Sequence, residues 1–441
     1  MTARIREWLG PAIQLANNWI SLSGVVLVTT ASLLWLFLVV GSRGAAARNP
    51  YLGILEFLVL PAAFLVGLLL IPLGQWLRRK AGPFELPPLS WKSVAVRRLV
   101  WFFSITTLAN VVIGSHLTYQ ATHYMDTPGF CGQACHQVMG PEFNAYRVSV
   151  HQHVECVHCH IGQGATSYVQ AKLNGIHQVI ALATTSYSRP ITAREKPVPD
   201  AKETCENCHR SQRDGEKLRI ITRFGDDEAN SISKSVLLMK LGRIHTAHAK
   251  VSYRADDPQK ITWVKSQTGV FTSAAGNTDS LPERRIQCID CHNRIGHDFP
   301  SPADAVDRAM AAGRLPKLPF IKKRAVEMLG KDFPSPEAAR QEIAKQIEAQ
   351  YPAGNDRALA IREVSAIFEQ NVYPALKIKW GTYPSNLGHN DSPGCFRCHD
   401  DDHKGPGGKA IGQDCNACHV LVAMQEAKPE IIEKLGLESG Q

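Results

Sequence analysis

Twelve cysteines and six of the seventeen histidines form one repeated pattern in this chain, which indicates covalent haem attachment. In five copies, two residues separate the cysteines and a histidine directly follows the second, which is the c-type haem motif. The two thiols form thioethers with the haem, and the adjacent histidine reaches the iron. The five regular motifs are Cys156, Cys159 and His160; Cys205, Cys208 and His209; Cys288, Cys291 and His292; Cys395, Cys398 and His399; and Cys415, Cys418 and His419.

A sixth copy, Cys131, Cys135 and His136, has one extra residue between its cysteines. Together the six copies use every cysteine of the chain, so the sequence predicts six covalently bound c-type haems. Zinc pairs do not need a histidine directly after the second cysteine. A disulfide framework would not place every cysteine in such a pair.

The second axial ligand of each iron decides what each haem does. An iron with two protein ligands only transfers electrons, whereas an open position binds a substrate. Histidines close to the motifs in the sequence are the candidate distal ligands, and there are enough of them for most sites to be six-coordinate. These candidates are His151, His245, His248, His297, His389 and His403.

The first 115 residues read as a membrane anchor. Three uncharged apolar runs, about residues 19–40, 57–77 and 99–115, are each long enough to span a bilayer as a helix. The first run is too long for the apolar core of a signal peptide, and two more runs follow it. We therefore expect three transmembrane helices that are retained in the protein.

The positions of lysine and arginine set the expected orientation of these helices. The N-terminus and residues 78–98 carry eight basic residues, whereas the other loop has only Arg43 and Arg48. We expect a cytoplasmic N-terminus and a periplasmic haem region, anchored in a bacterial inner membrane. Residues 1–115 have ten basic and three acidic residues and so supply most of the net charge of +9. The excess of basic residues thus reflects the membrane topology of residues 1–115, and it does not indicate a nucleic-acid-binding protein.

The remaining residues divide into three predicted parts. Residues 116–300 form a four-haem domain with a cysteine-free insert at 210–287, residues 301–394 a helical segment, and residues 395–441 a two-haem segment. The insert has β-prone runs at 218–224, 236–241 and 260–265, which predict a small sheet. Ser335 followed by Pro336 is a helix start. The predicted fold is mainly α, with little regular structure near the haems.

Residues 122–190 resemble the NapC/NirT family of membrane-anchored multihaem cytochromes, of NrfH-like type, here in an extended form with six motifs. The resemblance rests on Phe130-Cys131, on Met139-Gly-Pro-Glu142, on His151 ahead of the second motif, and on Ala171-Lys172-Leu-Asn-Gly175. Cys288–His297 resembles the fourth motif of that family and the histidine that follows it. The family usually has one anchor helix, so this chain departs from it in having three predicted helices and two further motifs.

The resemblance implies quinol oxidation at the first haem and electron transfer along the haem chain to a periplasmic partner. Met139 resembles a possible iron ligand just after the first motif, so either His136 or Met139 is expected to bind that iron. Lys172 resembles a lysine that shapes the quinol pocket, and Gln178 falls where some members have an acidic residue. The expected partners are membrane menaquinol and a periplasmic redox protein or terminal reductase, within a possible oligomer or complex.

The residues alone lead to a similar interpretation. The first motif begins 16 residues after Ser115, which places the first haem at the outer membrane surface, within reach of a lipid-soluble quinol. Lys172 could hydrogen-bond a quinol oxygen, or it could be a solvated lysine. The alternative is a terminal reductase of a small oxyanion such as nitrite, which needs one haem with an open distal position.

Overall fold

The computed structural model describes residues 18–41, 59–78, 91–134, 136–191, 199–201, 204–209, 214–274 and 280–437. The chain divides into two compact units, Met1–Phe130 and Cys131–Gln441. Helices make up most of the regular structure, as the sequence predicted. Arg43, Arg48 and Cys135 lie outside the described residues, and so does the side chain of His136.

The first unit consists of the helices α1 (Trp19–Gly41), α2 (Leu60–Arg78) and α3 (Val94–Asp126). Glycines allow α1 and α2 to approach closely. A Cβ atom on Gly24 would lie 2.7 Å from the carbonyl oxygen of Gly67, and a Cβ on Gly67 would lie 2.9 Å from that of Gly24. Small residues at a helix contact are typical of helix pairs in membranes, where close van der Waals packing stabilises the pair.

All three predicted spans fall on helices. Among the described residues, Leu60–Arg78 is long and apolar enough to cross a bilayer, and Trp19–Trp35 is a shorter apolar helix. Helix α3 continues past the predicted end at Ser115 to Asp126. That the chain crosses the membrane three times therefore stays a prediction.

The second unit is built from short helices around the haem motifs and from longer helices further along the chain. In chain order these are α4 (His136–Arg147), α5 (Cys156–His160), α6 (Gly164–Ala183), α7 (Leu241–His248), α8 (Cys288–Cys291), α9 (Pro302–Ala311), α10 (Ile321–Leu329), α11 (Pro336–Gln350), α12 (Asn355–Asn371), α13 (Cys415–Cys418) and α14 (Glu430–Lys434).

Two small antiparallel sheets complete this unit. Their strands are β1 (Lys217–Phe224), β2 (Ile232–Met239), β3 (Ser252–Arg254), β4 (Trp263–Ser266), β5 (Gly269–Thr272), β6 (Arg284–Arg285) and β7 (His419–Glu426). One sheet has the order β1-β2-β7 and the other β5-β4-β3-β6. Because Met239 on β2 pairs with His419 on β7, the insert is joined directly to the last haem motif.

One element differs from the sequence prediction. The predicted strand at residues 236–241 ends at Met239, and Leu241 begins the helix α7. The apolar run continues across this boundary, so hydrophobicity alone did not separate a strand from a short helix.

The largest apolar core lies among α9, α10, α11 and α12. Ile321, Ile343, Val364 and Phe368 are completely buried there. Helix α11 begins at Pro336 because the Ser335 hydroxyl caps it, accepting a hydrogen bond from the Ala338 amide. This core therefore forms from helix periodicity and capping within the helical segment itself.

A buried ion pair joins the helical core to the insert. Lys322 Nζ lies 2.6 Å from an Asp307 carboxylate oxygen, and both side chains are almost completely buried. The same carboxylate accepts a hydrogen bond from the Phe224 amide at the end of β1. Lys322 Nζ also donates to the Ala303 carbonyl. The charges are thus satisfied by each other and by backbone groups, as buried charges require.

We predict that Asp307→Asn destabilises the second unit by about 3–5 kcal/mol, because it leaves the Lys322 charge buried without a counter-charge. Urea unfolding of the detergent-solubilised protein, followed by circular dichroism, measures the change. Glu369→Gln is the matched control, since its ion pair with Arg340 is exposed, and it should leave the unfolding midpoint unchanged. Equal midpoints for the two variants would contradict the prediction.

Candidate haem-binding sites

The first motif lies on an unusual local structure. Residues Phe130–Ala134, which include Cys131, form a π-helix. A π-helical turn is wider than an α-helical turn, at about 4.4 residues, and so it returns a residue four positions on to nearly the same face. The extra residue that distinguishes the first motif from the other five therefore coincides with a π-helical turn.

The five described motif histidines each face another histidine. The ring centroids of these pairs are 5.9–6.4 Å apart. The pairs are His160 with His297 at 6.0 Å, His209 with His151 at 6.0 Å, His292 with His245 at 6.4 Å, His399 with His248 at 5.9 Å, and His419 with His389 at 6.2 Å.

This distance fits two imidazoles on opposite sides of one iron. A bond of about 2 Å from each nitrogen to the metal puts the nitrogens about 4 Å apart and the ring centroids slightly over 6 Å apart. A direct hydrogen bond between the rings would bring the centroids to about 5 Å. The residues present therefore fit haem iron with two histidine ligands at five of the motifs.

Hydrogen bonds at Nδ1 orient three of these rings. Nδ1 lies 2.7 Å from the Ile244 carbonyl oxygen for His248, 2.8 Å from that of Glu142 for His297, and 3.0 Å from that of Gly412 for His399. A carbonyl only accepts, so Nδ1 carries the proton and Nε2 presents its lone pair. Backbone acceptors fix the tautomer of metal-binding histidines in this way.

Burial keeps several of these imidazoles neutral, which is the state that binds a metal. Burial lowers the pKa of His297 to about 4, although the hydrogen bond to Glu142 opposes this. Burial also lowers the pKa of His292, and His245 and His209 nearby lower it further. The pKa of His419 is lowered by burial and by His389.

The first three motifs lie next to one another. A side-chain hydrogen bond with Cys131, together with burial, raises the pKa of the Cys156 thiol. Burial and then the neighbouring thiols of Cys205 and Cys208 raise the pKa of Cys159. Because such effects act only over short distances, the second motif lies between the first and the third.

The later motifs continue this order. His209 of the third motif is close enough to His292 of the fourth to lower its pKa, after burial and His245. Burial is the main cause of the raised pKa values of Cys291 and Cys418, and the Cys395 thiol raises both further. The fifth motif is thus adjacent to the fourth and to the sixth.

Arg397 joins the fourth and fifth motifs. It lies inside the fifth motif, and its side chain is buried. Its guanidinium donates hydrogen bonds to the carbonyl oxygens of Gly394, Pro258 and Asp290 at 2.7–2.8 Å. Asp290 belongs to the fourth motif, so one rigid side chain fixes the two motifs relative to each other.

His403 belongs to none of these five described pairs, and its role as a distal ligand stays a prediction. Its side chain is completely buried, and Nδ1 contacts the Asp400 carboxylate at 2.8 Å. Nε2 is buried and has no hydrogen-bond partner among the residues that the structure describes. His403 lies between the last two motifs in the sequence, but its side chain does not face any of the five described motif histidines.

Lys172 and Gln178, the two predicted pocket residues, lie on one helix but not on one face. Both are on α6, where six residues correspond to a rotation of about 120°. Lys172 Nζ lies 4.8 Å from the centre of the Tyr168 ring. Gln178 lies about 120° around the helix axis from Lys172, and the role of both residues in a quinol site stays a prediction.

Met139 lies on α4, three residues after His136. The side chain of Met139 is half-buried, whereas that of His136 is outside the described residues. Which of the two binds the first iron therefore stays a prediction.

Comparison with known proteins identifies the family. A sequence model described as "NapC/NirT cytochrome c family, N-terminal region" matches residues 94–220, which contain α3 and the first three motifs. The chain is also 33% identical over 448 residues to "Cytochrome c-type protein ImcH" of Geobacter sulfurreducens, covering 92% of this chain and 88% of that protein. The chain belongs to the NapC/NirT cytochrome c family. No solved structure matches it.

Family membership settles the broad class of the protein. Members of the NapC/NirT family are membrane-anchored cytochromes that interact with quinol and redox partners, so this chain is a membrane-associated multihaem c-type cytochrome that transfers electrons. Its cofactor is covalent c-type haem with its iron, and the twelve cysteines are compatible with six haems. The family match ends at residue 220, before the last three motifs.

The sequence did not single out Arg397, although its place between the two cysteines of a motif is visible there. It also did not identify α7, which carries both His245 and His248. Two histidines three residues apart were the available signal, because this spacing puts both on one helix face.

We predict that His403→Asn leaves the low-spin ferric haem signal per haem unchanged in electron paramagnetic resonance, because His403 faces none of the five described motif histidines. His389→Asn, the matched variant, should lose about one sixth of that signal, since it removes one ligand from one haem of six. Equal losses in the two variants would contradict this assignment.

Proposed function

We propose that this chain oxidises membrane menaquinol and passes the electrons through six c-type haems to a periplasmic redox protein. The observation that carries the proposal is the set of five histidine pairs at metal-ligating distance on successive motifs. When bound, each haem iron alternates between the ferric and ferrous states and so carries one electron.

The histidine pairs favour electron transfer over catalysis on a soluble substrate. The two histidines of each pair would hold the haem iron from both sides, which would leave no open position for a substrate at the second to sixth motifs. A reductase of a small oxyanion such as nitrite would have to use the first motif. That motif begins five residues after the end of α3, the last proposed membrane helix, and a position beside the membrane is unfavourable for a charged soluble substrate.

The order of the motifs supports a linear path. Motifs that follow one another in the sequence lie close enough to shift the pKa values of each other's thiols or imidazoles, from the first motif to the sixth. Electrons would then enter at the Cys131 motif and leave near the Cys395 and Cys415 motifs. The C-terminal pair of motifs lies beyond the residues matched by the family and would face the partner.

We propose that α1, α2 and α3 each cross the inner membrane, with the N-terminus in the cytoplasm. The basic residues at 78–98 and near the N-terminus support this orientation. An odd number of crossings places the haem motifs in the periplasm, where c-type haem is attached. The first motif then begins at the outer surface of the membrane.

Helix α6 supports a quinol site beside the membrane. Val169, Leu173, Ile176 and Ile180 form an apolar stripe on it, and each is more than half exposed. An exposed stripe at helical spacing is typical of a helix that lies in a membrane interface. Lys172 is one turn from Val169 and from Ile176, so its ammonium group would be held at the same surface, where it can donate a hydrogen bond to a quinol oxygen.

Stopped-flow reduction of the oxidised, detergent-solubilised protein by a menaquinol analogue tests this function. Fast reduction of haem absorbance that a quinol-site inhibitor blocks is the expected result. Protein that dithionite reduces fully, but that the quinol does not reduce, would contradict the proposal.

We predict that Lys172→Ala slows reduction by the quinol about 10- to 100-fold, because a charge-assisted hydrogen bond of about 1.5–3 kcal/mol is lost. Gln170→Ala is the matched control, because Gln170 is exposed on the opposite side of α6 from Lys172, and it should keep the rate of the unaltered protein. Reduction by dithionite should be the same in all three proteins. Equal slowing in both variants would contradict the role of Lys172.

A further inference from the structure

We propose that α7 is a shared ligand helix, in which His245 binds the iron of the fourth motif and His248 the iron of the fifth. The inference rests on the proposed haem ligation and goes beyond it, because it gives the cysteine-free insert a specific task. The eight-residue helix would set the relative position of two haems at once and would carry the path from the first four motifs to the last two.

The spacing on α7 is the first support. His245 and His248 are three residues apart on a helix that runs from Leu241 to His248. Residues three apart lie on the same face, one turn from each other. The His245 ring faces His292 at 6.4 Å, and the His248 ring faces His399 at 5.9 Å.

The start of α7 is fixed to the sixth motif. The Lys240 backbone amide donates a hydrogen bond to the Cys418 carbonyl at 2.9 Å. The Lys240 ammonium group donates to the Asn416 carbonyl at 2.8 Å. Both acceptors belong to α13, so the helix that would ligate the fourth and fifth haems is also attached to the motif of the sixth.

The end of α7 is fixed to the segment that leads into the fourth motif. Arg285 donates from Nη2 to the Ala249 carbonyl at 2.8 Å. The Val251 amide donates to the His248 carbonyl, and the Ile286 amide donates to the Val251 carbonyl. Ile286 is two residues before Cys288, so a short path of hydrogen bonds connects His248 to the fourth motif.

Close backbone packing also holds the first turn of α7 in place. The Gly242 amide donates to the Gly215 carbonyl at 3.0 Å, and a Cβ atom on Gly242 would lie 3.2 Å from the Gly215 nitrogen. A larger side chain at 242 would therefore push the whole helix away from residues 214–215. Because both histidines lie on this one rigid element, they would move together.

The surrounding strands explain why an insert is needed. Strand β2 precedes α7 directly and pairs with β7, which begins at His419 of the sixth motif. Strand β3 follows α7 and pairs with β6, just before the fourth motif. The two small sheets thus support α7 from both ends.

The test measures haem ligation in the full-length, haem-loaded protein. His245→Gly and His248→Gly should each convert about one sixth of the low-spin ferric haem to high-spin, and the double variant about one third. Exogenous imidazole should restore the low-spin signal, since it fills the position of the missing side chain. His153 is exposed, so His153→Gly is the matched control and should keep all of the low-spin signal.

Additivity identifies which haem each histidine serves. In a His292→Gly background, His245→Gly should affect no further haem, because both residues bind the same iron. His248→Gly in that background should affect a second haem. The proposal would be overturned if, in this background, His245→Gly converted a second haem to high-spin and His248→Gly did not, because the two histidines would then serve the opposite haems.

Gly242→Leu tests the shared helix with both histidines present. We expect loss of about one third of the low-spin signal, because displacing α7 removes two ligands together. Gly354→Ala is the control, since a Cβ there meets no atom within 4 Å. Loss confined to one haem would overturn the idea of one rigid element.

Should the glycine variants not mature, His245→Met and His248→Met provide the same information. Each should raise the potential of one haem, because methionine as an axial ligand raises the potential. The inference would be overturned if redox titrations of both variants matched the redox titration of the unaltered protein. Two measurements on the unaltered protein, its total haem content and its reduction by quinol, test the proposed function separately. If quinol reduced six haems but the α7 variants were unaffected, the inference about α7 would be overturned and the proposed function would stand.

Discussion

Two imidazole rings held about 6 Å apart form the constraint on which the rest of this structure depends. One ring of each pair follows a haem motif directly, so local sequence places it. The other ring comes from a distant part of the chain, as His297 does for His160 and His248 for His399. Every pair therefore demands that separate segments fold against each other to within a few tenths of an ångström. The short helices, the two small sheets and the buried hydrogen bonds of Arg397 all serve this demand.

This constraint explains how apolar residues are distributed. Residues around the motifs are mostly half-buried, and the large apolar core lies in the helical segment formed by α9 to α12. Haem faces would supply the apolar contacts that the motif region lacks, since a chain with many motifs has few residues for each haem. The helical core is linked to the insert by the buried pair of Lys322 and Asp307.

The sequence predicted the parts of this arrangement that depend on local spacing. The haem motifs, the helix start at Pro336 and the three apolar helices follow from neighbouring residues, and the family comparison agrees with the motifs. Pairing of histidines depends on long-range folding, so sequence distance did not show which histidine faces which motif, and the role of His403, whose Nδ1 contacts Asp400, stays a prediction. Gln178 was grouped with Lys172 by resemblance, and both residues lie on α6, about 120° apart around its axis, so their shared role stays a prediction. The helix α7 was missed because an apolar run continues from β2 into it.

Near-infrared magnetic circular dichroism of the oxidised protein tests the central claim most directly, because the charge-transfer bands of low-spin ferric haem distinguish bis-histidine from histidine–methionine ligation. The intensity is compared with total haem measured as the pyridine haemochromogen. The structure predicts bis-histidine ligation at five haems or more, one for each histidine pair. Histidine–methionine or high-spin haem at two or more sites would contradict the account.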